Sequence, residues 1–156
     1  MFKTRATVLT QTNVVRYFIL SKQEMRKRIW SCAGQLVDEK GYVSPVDLLV
    51  KMGRITKKQV EDWRVQRIPY LEQVSEGNLS KMKFILNELR AFGKLANLKS
   101  SQTAYVSWGK GSKKRLRFSK SGDAWIETMY STHYVLATTK KLILDPEPET
   151  TDSLGS

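Results

Sequence analysis

Three helix starts within 36 residues constrain the fold of this chain more than any other feature. The motifs SKQE at Ser21 and TKKQ at Thr56 are capping boxes, in which two side chains bind backbone N–H groups that a helix leaves free. The motif SPVD at Ser44 places proline at the first helical position, where no N–H is needed. We therefore predict helices from Ser21 to Gly41, from Ser44 to Gly53 and from Thr56 to Pro69.

Two further helices are predicted in the second half of the chain. Apolar residues at helical spacing indicate one from about Ser80 to Phe92, with Gly93 as its stop. Asp123 is a suitable N-cap for a last helix, from Ala124 to about His133.

Between these helices the apolar period changes from 3.6 residues to 2, which is typical of strands. Apolar side chains recur at every second position from Ala104 to Trp108 and again from Arg115 to Phe118, on either side of a Gly-Lys-Gly-Ser centre. This pattern predicts a β-hairpin with a glycine-rich loop. We expect Trp108 and Phe118 to hold it against the core, with Arg115 and Arg117 together on the opposite face.

The predicted fold class is α+β and mainly helical, with helix-turn-helix-like helices and a hairpin that resembles the wing of a winged helix. Thr7 to Leu20 is a candidate N-terminal strand, since several of its residues are β-branched or aromatic. Residues 1–136 are expected to form a single compact basic domain. Residues 137–156 are expected to form a flexible acidic tail.

The charge of the chain favours a polyanionic partner. The net charge is +12, and the segment from Asp145 to Ser156 holds four of the 15 acids and none of the 27 bases, which leaves +16 on the remainder. Domains with such a charge usually bind nucleic acid, and less often an acidic protein or membrane. The acidic segment is either an internal competitor for the basic surface or a solvated terminus.

Several classes of protein are disfavoured by what the sequence lacks. No run of 18 apolar residues and no secretory signal is present, so we expect a soluble cytoplasmic protein without a membrane partner. Cys32 is the only cysteine and His133 the only histidine, so no metal-ligand spacing exists. We expect neither a metal nor a cofactor. Gly109 and Gly111 do not form a phosphate loop, because a lysine separates them and a strand follows.

The predicted interface combines the hairpin with the third helix. Lysines at the hairpin tip would meet phosphates, and glutamines on the helix would read base edges. Glu61 and Asp62 would repel phosphate, which counts against a recognition helix at this position. An ordinary α-hairpin in the core is therefore an equal interpretation. The predicted contact residues are Lys110, Lys113, Lys114, Arg115, Arg117 and Lys120 in the hairpin, and Lys58, Gln59 and Gln66 in the helix.

The predicted function is therefore non-catalytic binding of DNA or RNA, alone or within a larger nucleoprotein complex. One alternative is a basic adaptor, inhibitor or assembly subunit that binds an acidic protein, which an exposed apolar patch would favour. A second is a metal-independent nuclease or toxin, in which Tyr130, His133 and Tyr134 beside the basic hairpin would be the reacting groups.

Overall fold

The computed structural model describes the backbone of residues 2–137 and the side chains of residues 13–137. The predicted acidic tail lies, beyond Ala137, outside the described residues. Within them the chain forms five α-helices and a three-stranded antiparallel sheet. The architecture is thus α+β and mainly helical, as the sequence predicts.

The first helix, α1, is continuous from Phe2 to Lys40 and spans 39 residues. The predicted N-terminal strand from Thr7 to Leu20 is therefore wrong, and so is the predicted helix start at Ser21. No glycine or proline occurs before Gly34, so nothing in the sequence breaks the helix. Strand propensity depends on neighbouring strands to pack against, and this segment has none in the part of the chain that the structure describes.

The two halves of α1 differ in their surroundings. In the C-terminal half, Ile29, Ala33 and Leu36 lie in the hydrophobic core. There α1 packs against a later helix through Trp30, whose ring lies edge-on to Phe92 with ring centroids 5.8 Å apart. Further upstream the apolar side chains are exposed to solvent: Val14, Val15, Tyr17, Phe18, Ile19 and Leu20.

The next two helices begin where their caps predict. Helix α2 spans Pro45–Lys51, and the Ser44 hydroxyl accepts a hydrogen bond from the backbone N–H of Asp47 at 3.1 Å. Helix α3 spans Lys57–Arg64, and Thr56 forms a complete capping box with Gln59.

Helix α3 ends five residues before the predicted stop at Pro69. Val65 is its C-cap, and Gln66 follows in the left-handed region with φ of 64°. The chain then forms a single 3₁₀ turn at Leu71–Gln73, whose Leu71 is fully buried. This turn places the segment after α3 against the domain rather than extending the helix.

Helix α4 spans Leu79–Leu95, with Asn78 as its N-cap. The predicted apolar stripe is buried except at its end, where Phe92 is half-buried, but Gly93 lies inside the helix and is not its stop. A Cβ atom on Gly93 would lie 2.5 Å from Cδ1 of Tyr134, so only glycine allows the last strand to approach so closely. The glycine thus serves packing between α4 and the sheet.

The sheet consists of three short strands: β1 at Tyr42–Val43, β2 at Lys99–Gln102 and β3 at Thr132–Val135. Their order is β1-β3-β2, and both neighbouring pairs are antiparallel. None of the three was predicted. Helix α5 spans Ala124–Ser131 just before β3, and Asp123 caps it as expected, through bonds from Trp125 N and Ile126 N.

Candidate nucleic-acid interface

The segment Tyr105–Lys120, called the basic hairpin below, forms the predicted turn back of the chain. Val106 pairs with Arg115 in an antiparallel bridge, and the Ser107 N–H donates to the Lys114 carbonyl at 2.8 Å. The Leu116 N–H donates to the Tyr105 carbonyl at 2.8 Å. The pairing is confirmed, although it is too short to form regular strands.

An aromatic cluster fixes the base of the basic hairpin to the core. Trp63 of α3 lies between Tyr105 and Phe118, with ring centroids 5.6 and 5.0 Å away. Phe118 also stacks on Tyr130 of α5, with ring centroids 5.2 Å apart and the planes nearly parallel. Both arms of the hairpin are therefore packed against helices.

Hydrogen bonds anchor the same segment. The Trp63 indole N–H donates to the Arg117 carbonyl at 2.8 Å. The Glu127 carboxylate accepts from the Phe118 N–H at 3.0 Å, from the Ser119 N–H at 2.8 Å and from the Ser119 hydroxyl at 2.7 Å. The returning arm is therefore fixed along its backbone, whereas the tip from Gly109 to Lys113 is exposed.

Trp108 points away from the core, contrary to expectation. Tyr105 and Ser107 are buried instead, while 53% of the Trp108 surface is exposed. Side chains on this arm do alternate between core and solvent, but the buried ones are the opposite of those predicted. Tyr105 and not Trp108 completes the aromatic cluster. Each set carries one large aromatic residue, so the sequence alone does not say which set is buried. On the returning arm, Leu116 and Phe118 are buried as predicted.

All six of the predicted hairpin cations lie on the surface. Within the part of the chain that the structure describes, the side chains of Lys110, Lys114 and Arg115 make no ion pair or hydrogen bond, and all three are exposed. Lys113 donates from Nζ to the Gly109 carbonyl at 3.0 Å and so closes the loop. In and beside the tip, the lysines thus have no carboxylate partner within residues 13–137.

The remaining two hairpin cations have other surroundings. Arg117 is exposed like Arg115, but its guanidinium donates to the Ser119 carbonyl at 2.9 Å and to the Lys120 carbonyl. Lys120 lines a separate open groove of about 680 Å³ at the start of α4. Arg117 therefore shapes its own loop, and Lys120 lies at the far end of the hairpin from the tip.

The structure does not bring the predicted residues of the third helix together on one face. Lys58 lies 3.9 Å from the Asp62 carboxylate, and Asp62 also pairs with Arg67 at 3.1 Å. The Gln59 side chain accepts from the Thr56 N–H at 2.9 Å as part of the capping box. Gln66 lies beyond the end of α3, so the expectation that it shares a helical face with Gln59 is wrong.

Arg64 is a further candidate residue of this interface, and no pattern in the sequence indicated it. Its guanidinium carbon lies 4.5 Å from the Tyr105 ring centroid and 5.2 Å from that of Trp108. Nη1 donates to the Val106 carbonyl at 3.2 Å, and the Arg64 carbonyl accepts from the Trp108 N–H at 2.8 Å. Burial lowers the pKa of Arg64, although an arginine remains charged at neutral pH. Arg64 therefore links the end of α3 to the first arm of the hairpin.

A groove of about 410 Å³ lies beside Trp108, between the end of α1, α2 and α3. Its apolar lining includes Val46, Val50 and Val60. Its charged side chains are largely paired, since Lys51 contacts Glu39 at 3.0 Å and Lys40 contacts Asp47 at 3.3 Å. Lys57 and Glu61 also line it.

The candidate nuclease residues are engaged in packing. Tyr130 is buried and its hydroxyl donates to Glu72 at 3.0 Å, and burial raises its pKa above the usual value. Nε2 of His133 lies 2.8 Å from the Tyr105 hydroxyl, and its ring stacks on Tyr42. Tyr134 is buried against Gly93. Among the described residues no cluster of three potential metal ligands is found.

Comparisons with protein-family models, with curated proteins and with solved structures give no match to this chain. Over the described residues, none of the helices has both the length and the apolar character needed to cross a bilayer.

Proposed function

We propose that the protein binds nucleic acid without catalysis, through contacts of the basic hairpin with the phosphate backbone. The observation that carries this proposal is the hairpin tip, where exposed lysines have no carboxylate partner among the described residues. A group of exposed cations on one structural element is typical of a phosphate-binding surface.

The anchoring of the hairpin supports the same proposal. Ordering a flexible loop on binding costs conformational entropy, which reduces the affinity that its charges provide. Here the Glu127 carboxylate and the Trp63 ring hold the returning arm before any ligand arrives. The cations of Lys114 and Arg115 are therefore carried on a backbone that is already ordered.

The order of elements supports a winged-helix-like arrangement. Helix α1 leads into β1, further helices follow, and the sheet order β1-β3-β2 places the last strand in the centre. The basic hairpin lies between β2 and β3 in the chain, which is where a wing would project. In this arrangement the hairpin, and not α3, supplies most of the phosphate contacts, because Asp62 pairs with both Lys58 and Arg67 and would itself repel a phosphate.

The test is the salt dependence of binding by charge-matched variants. Lys110→Gln with Lys114→Gln, called the tip variant, removes one cation of the tip and one directly beside it, and leaves the Lys113 contact that closes the loop. Lys27→Gln with Lys94→Gln is the control, since both lysines are exposed on other helices and the net charge falls equally. Binding to a duplex and to a single strand is measured from 50 to 200 mM salt.

The tip variant is expected to reduce the slope of log K against log salt by about 0.9 per phosphate contact on duplex DNA, or about 0.7 on a single strand. The control variant is expected to keep the wild-type slope. Equal slopes for the two variants would show that the basic hairpin is not part of the interface. Absence of binding by the wild-type protein at 50 mM salt would reject the proposed function itself.

A second candidate function, a basic adaptor for an acidic protein surface, is favoured by the exposed apolar residues of α1. Tyr17 is 77% exposed and Phe18 58% exposed, next to four further exposed apolar side chains. Exposed apolar side chains concentrated within about two turns of a helix are typical of interaction sites. The first 23 residues hold four bases and no acid, so charge complementarity favours an acidic partner over a second copy of the chain.

The adaptor function is tested with an amphipathic helical peptide that has leucines on one face and glutamates on the other. Tyr17→Ser with Phe18→Ser is expected to weaken peptide binding and to leave nucleic-acid binding unchanged. Light scattering on the wild-type protein supplies the second measurement. A concentration-dependent dimer that the double variant abolishes would assign the apolar residues to self-association and reject the adaptor function.

A further inference from the structure

We propose that Trp108 stacks on an unpaired nucleobase, so that the preferred ligand is single-stranded nucleic acid rather than a duplex. This inference rests on the proposed function and identifies which class of nucleic acid the interface takes. It is carried by the exposed indole ring, by the groove beside that ring and by the lysines that follow it in the chain.

The indole ring of Trp108 is exposed yet held in place. The backbone N–H of Trp108 donates to the Arg64 carbonyl at 2.8 Å, and the Arg64 guanidinium carbon lies 5.2 Å from the centroid of the Trp108 ring. Arg64 is itself fixed by the Val106 carbonyl and by the Tyr105 ring. Leaving a large apolar ring in water is unfavourable, and a ring with an anchored backbone and a cation near it loses less freedom than a free side chain when it stacks on a ligand.

The groove beside Trp108 has the size and chemistry for a base. Its volume of about 410 Å³ falls within the range of about 300–1,000 Å³ of small-molecule sites. The valines at positions 46, 50 and 60 provide apolar contact for the flat face of a base. At the same groove Lys57 offers a donor and Glu61 an acceptor for the polar edge of a base, and carboxylates accept from exocyclic amino groups.

The lysines in the tip and directly beside it are positioned in the chain to contact the backbone of the same nucleic-acid strand. Lys110 follows Trp108 by two residues, and Lys114 lies on the returning arm opposite Ser107. A cationic surface that follows phosphates, combined with an aromatic ring for bases, is the usual composition of single-strand binding sites. In a duplex the bases are already paired and stacked, so reaching Trp108 would require unpairing one of them.

The experiment compares three tryptophan variants on a labelled 12-nucleotide single strand and on the same sequence as a duplex. Trp108→Ala is expected to weaken single-strand binding about 5- to 150-fold, the range found for one base–aromatic stack. Trp108→Phe is expected to retain most of the affinity. Trp125→Ala is the matched control, because 48% of Trp125 is exposed on α5, and it is expected to bind like wild type.

A fluorescence measurement separates loss of stacking from loss of fold. In a Trp125→Phe background, adding the single strand is expected to quench emission, and Trp108→Phe is expected to abolish that quenching while the thermal unfolding midpoint stays unchanged. Equal single-strand affinity of Trp108→Ala and wild type would overturn the stacking site, as would tighter binding of the duplex by wild type. The proposed function would survive both results, and it fails only if wild type binds neither form.

Discussion

Glu127 is the residue whose removal best tests how the basic hairpin is held. Its carboxylate accepts three hydrogen bonds, from the N–H groups of Phe118 and Ser119 and from the Ser119 hydroxyl. In Glu127→Ala the hydroxyl can rotate to another partner, but both N–H groups lose their acceptor. Each unsatisfied buried group costs about 1–3 kcal/mol, so the free energy of unfolding is expected to fall by about 2–6 kcal/mol.

Glu127→Gln is expected to destabilise the protein less than Glu127→Ala does. One oxygen remains to accept from Ser119, but the amide nitrogen replaces the acceptor of Phe118 with a donor. A single backbone N–H is then unsatisfied, and we expect a loss of about 1–3 kcal/mol. Glu24→Ala is the control, since Glu24 is an exposed acid on α1, and surface substitutions of this kind stay within about 0.5 kcal/mol.

Two measurements check this prediction on the full chain. Urea titration gives the free energy of unfolding of each variant, and native-state hydrogen exchange reports the amides of Phe118 and Ser119. Both amides are expected to exchange faster in Glu127→Ala. If Glu127→Ala unfolds at the same urea concentration as Glu24→Ala, with both amides still protected, the carboxylate does not hold the hairpin.

Three further predictions concern the core, the pH and the tail. Trp63→Ala is expected to lower the free energy of unfolding by about 3–5 kcal/mol, since Trp63 is fully buried, and a urea titration showing less than about 1 kcal/mol would contradict its core role. Burial lowers the pKa of His133 below 6.5, so the unfolded chain binds more protons than the folded one and stability falls as pH falls through 6.5. Thermal unfolding at pH 8 and pH 5.5 should show this loss, and His133→Gln should reduce it; an equal loss in the variant would assign it to other groups. Deleting Asp145 to Ser156, which lie outside the described residues, is expected to leave nucleic-acid affinity unchanged, because ordering the segment costs entropy. Tighter binding by the deletion variant at low salt would instead make the segment an internal competitor.

The local signals in the sequence predicted the helix starts at α2, α3 and α5 correctly. Ser44, Thr56 and Asp123 all accept the capping bonds that their positions indicate. A cap depends on residues two or three positions apart, so its chemistry can be judged without the rest of the fold. The pairing of the hairpin was equally predictable, because alternation and turn glycines lie in one short stretch.

Features that depend on distant contacts were not predictable. SKQE at Ser21 has the composition of a capping box, yet the preceding residues are helical and the motif lies inside α1. Strand β2 consists of four exposed polar residues and carries no apolar alternation, so only its pairing with β3 makes it a strand. The exposure of Trp108 depends on Tyr105 filling the cluster around Trp63, which no local pattern encodes.

The order of the strands also has a consequence for the time course of folding. Among the residues that the structure describes, strand β1 pairs only with β3, and 92 residues lie between Tyr42 and its partner Val135. At a synthesis rate of about 5–20 residues per second, β1 is synthesised about 5–18 s before β3, its partner strand. During that interval α1, α2 and α4 can form, but the sheet that closes over them cannot. We therefore expect the nascent chain to expose Val43 and the end of α1 until β3 emerges, and to become resistant to protease only after that point.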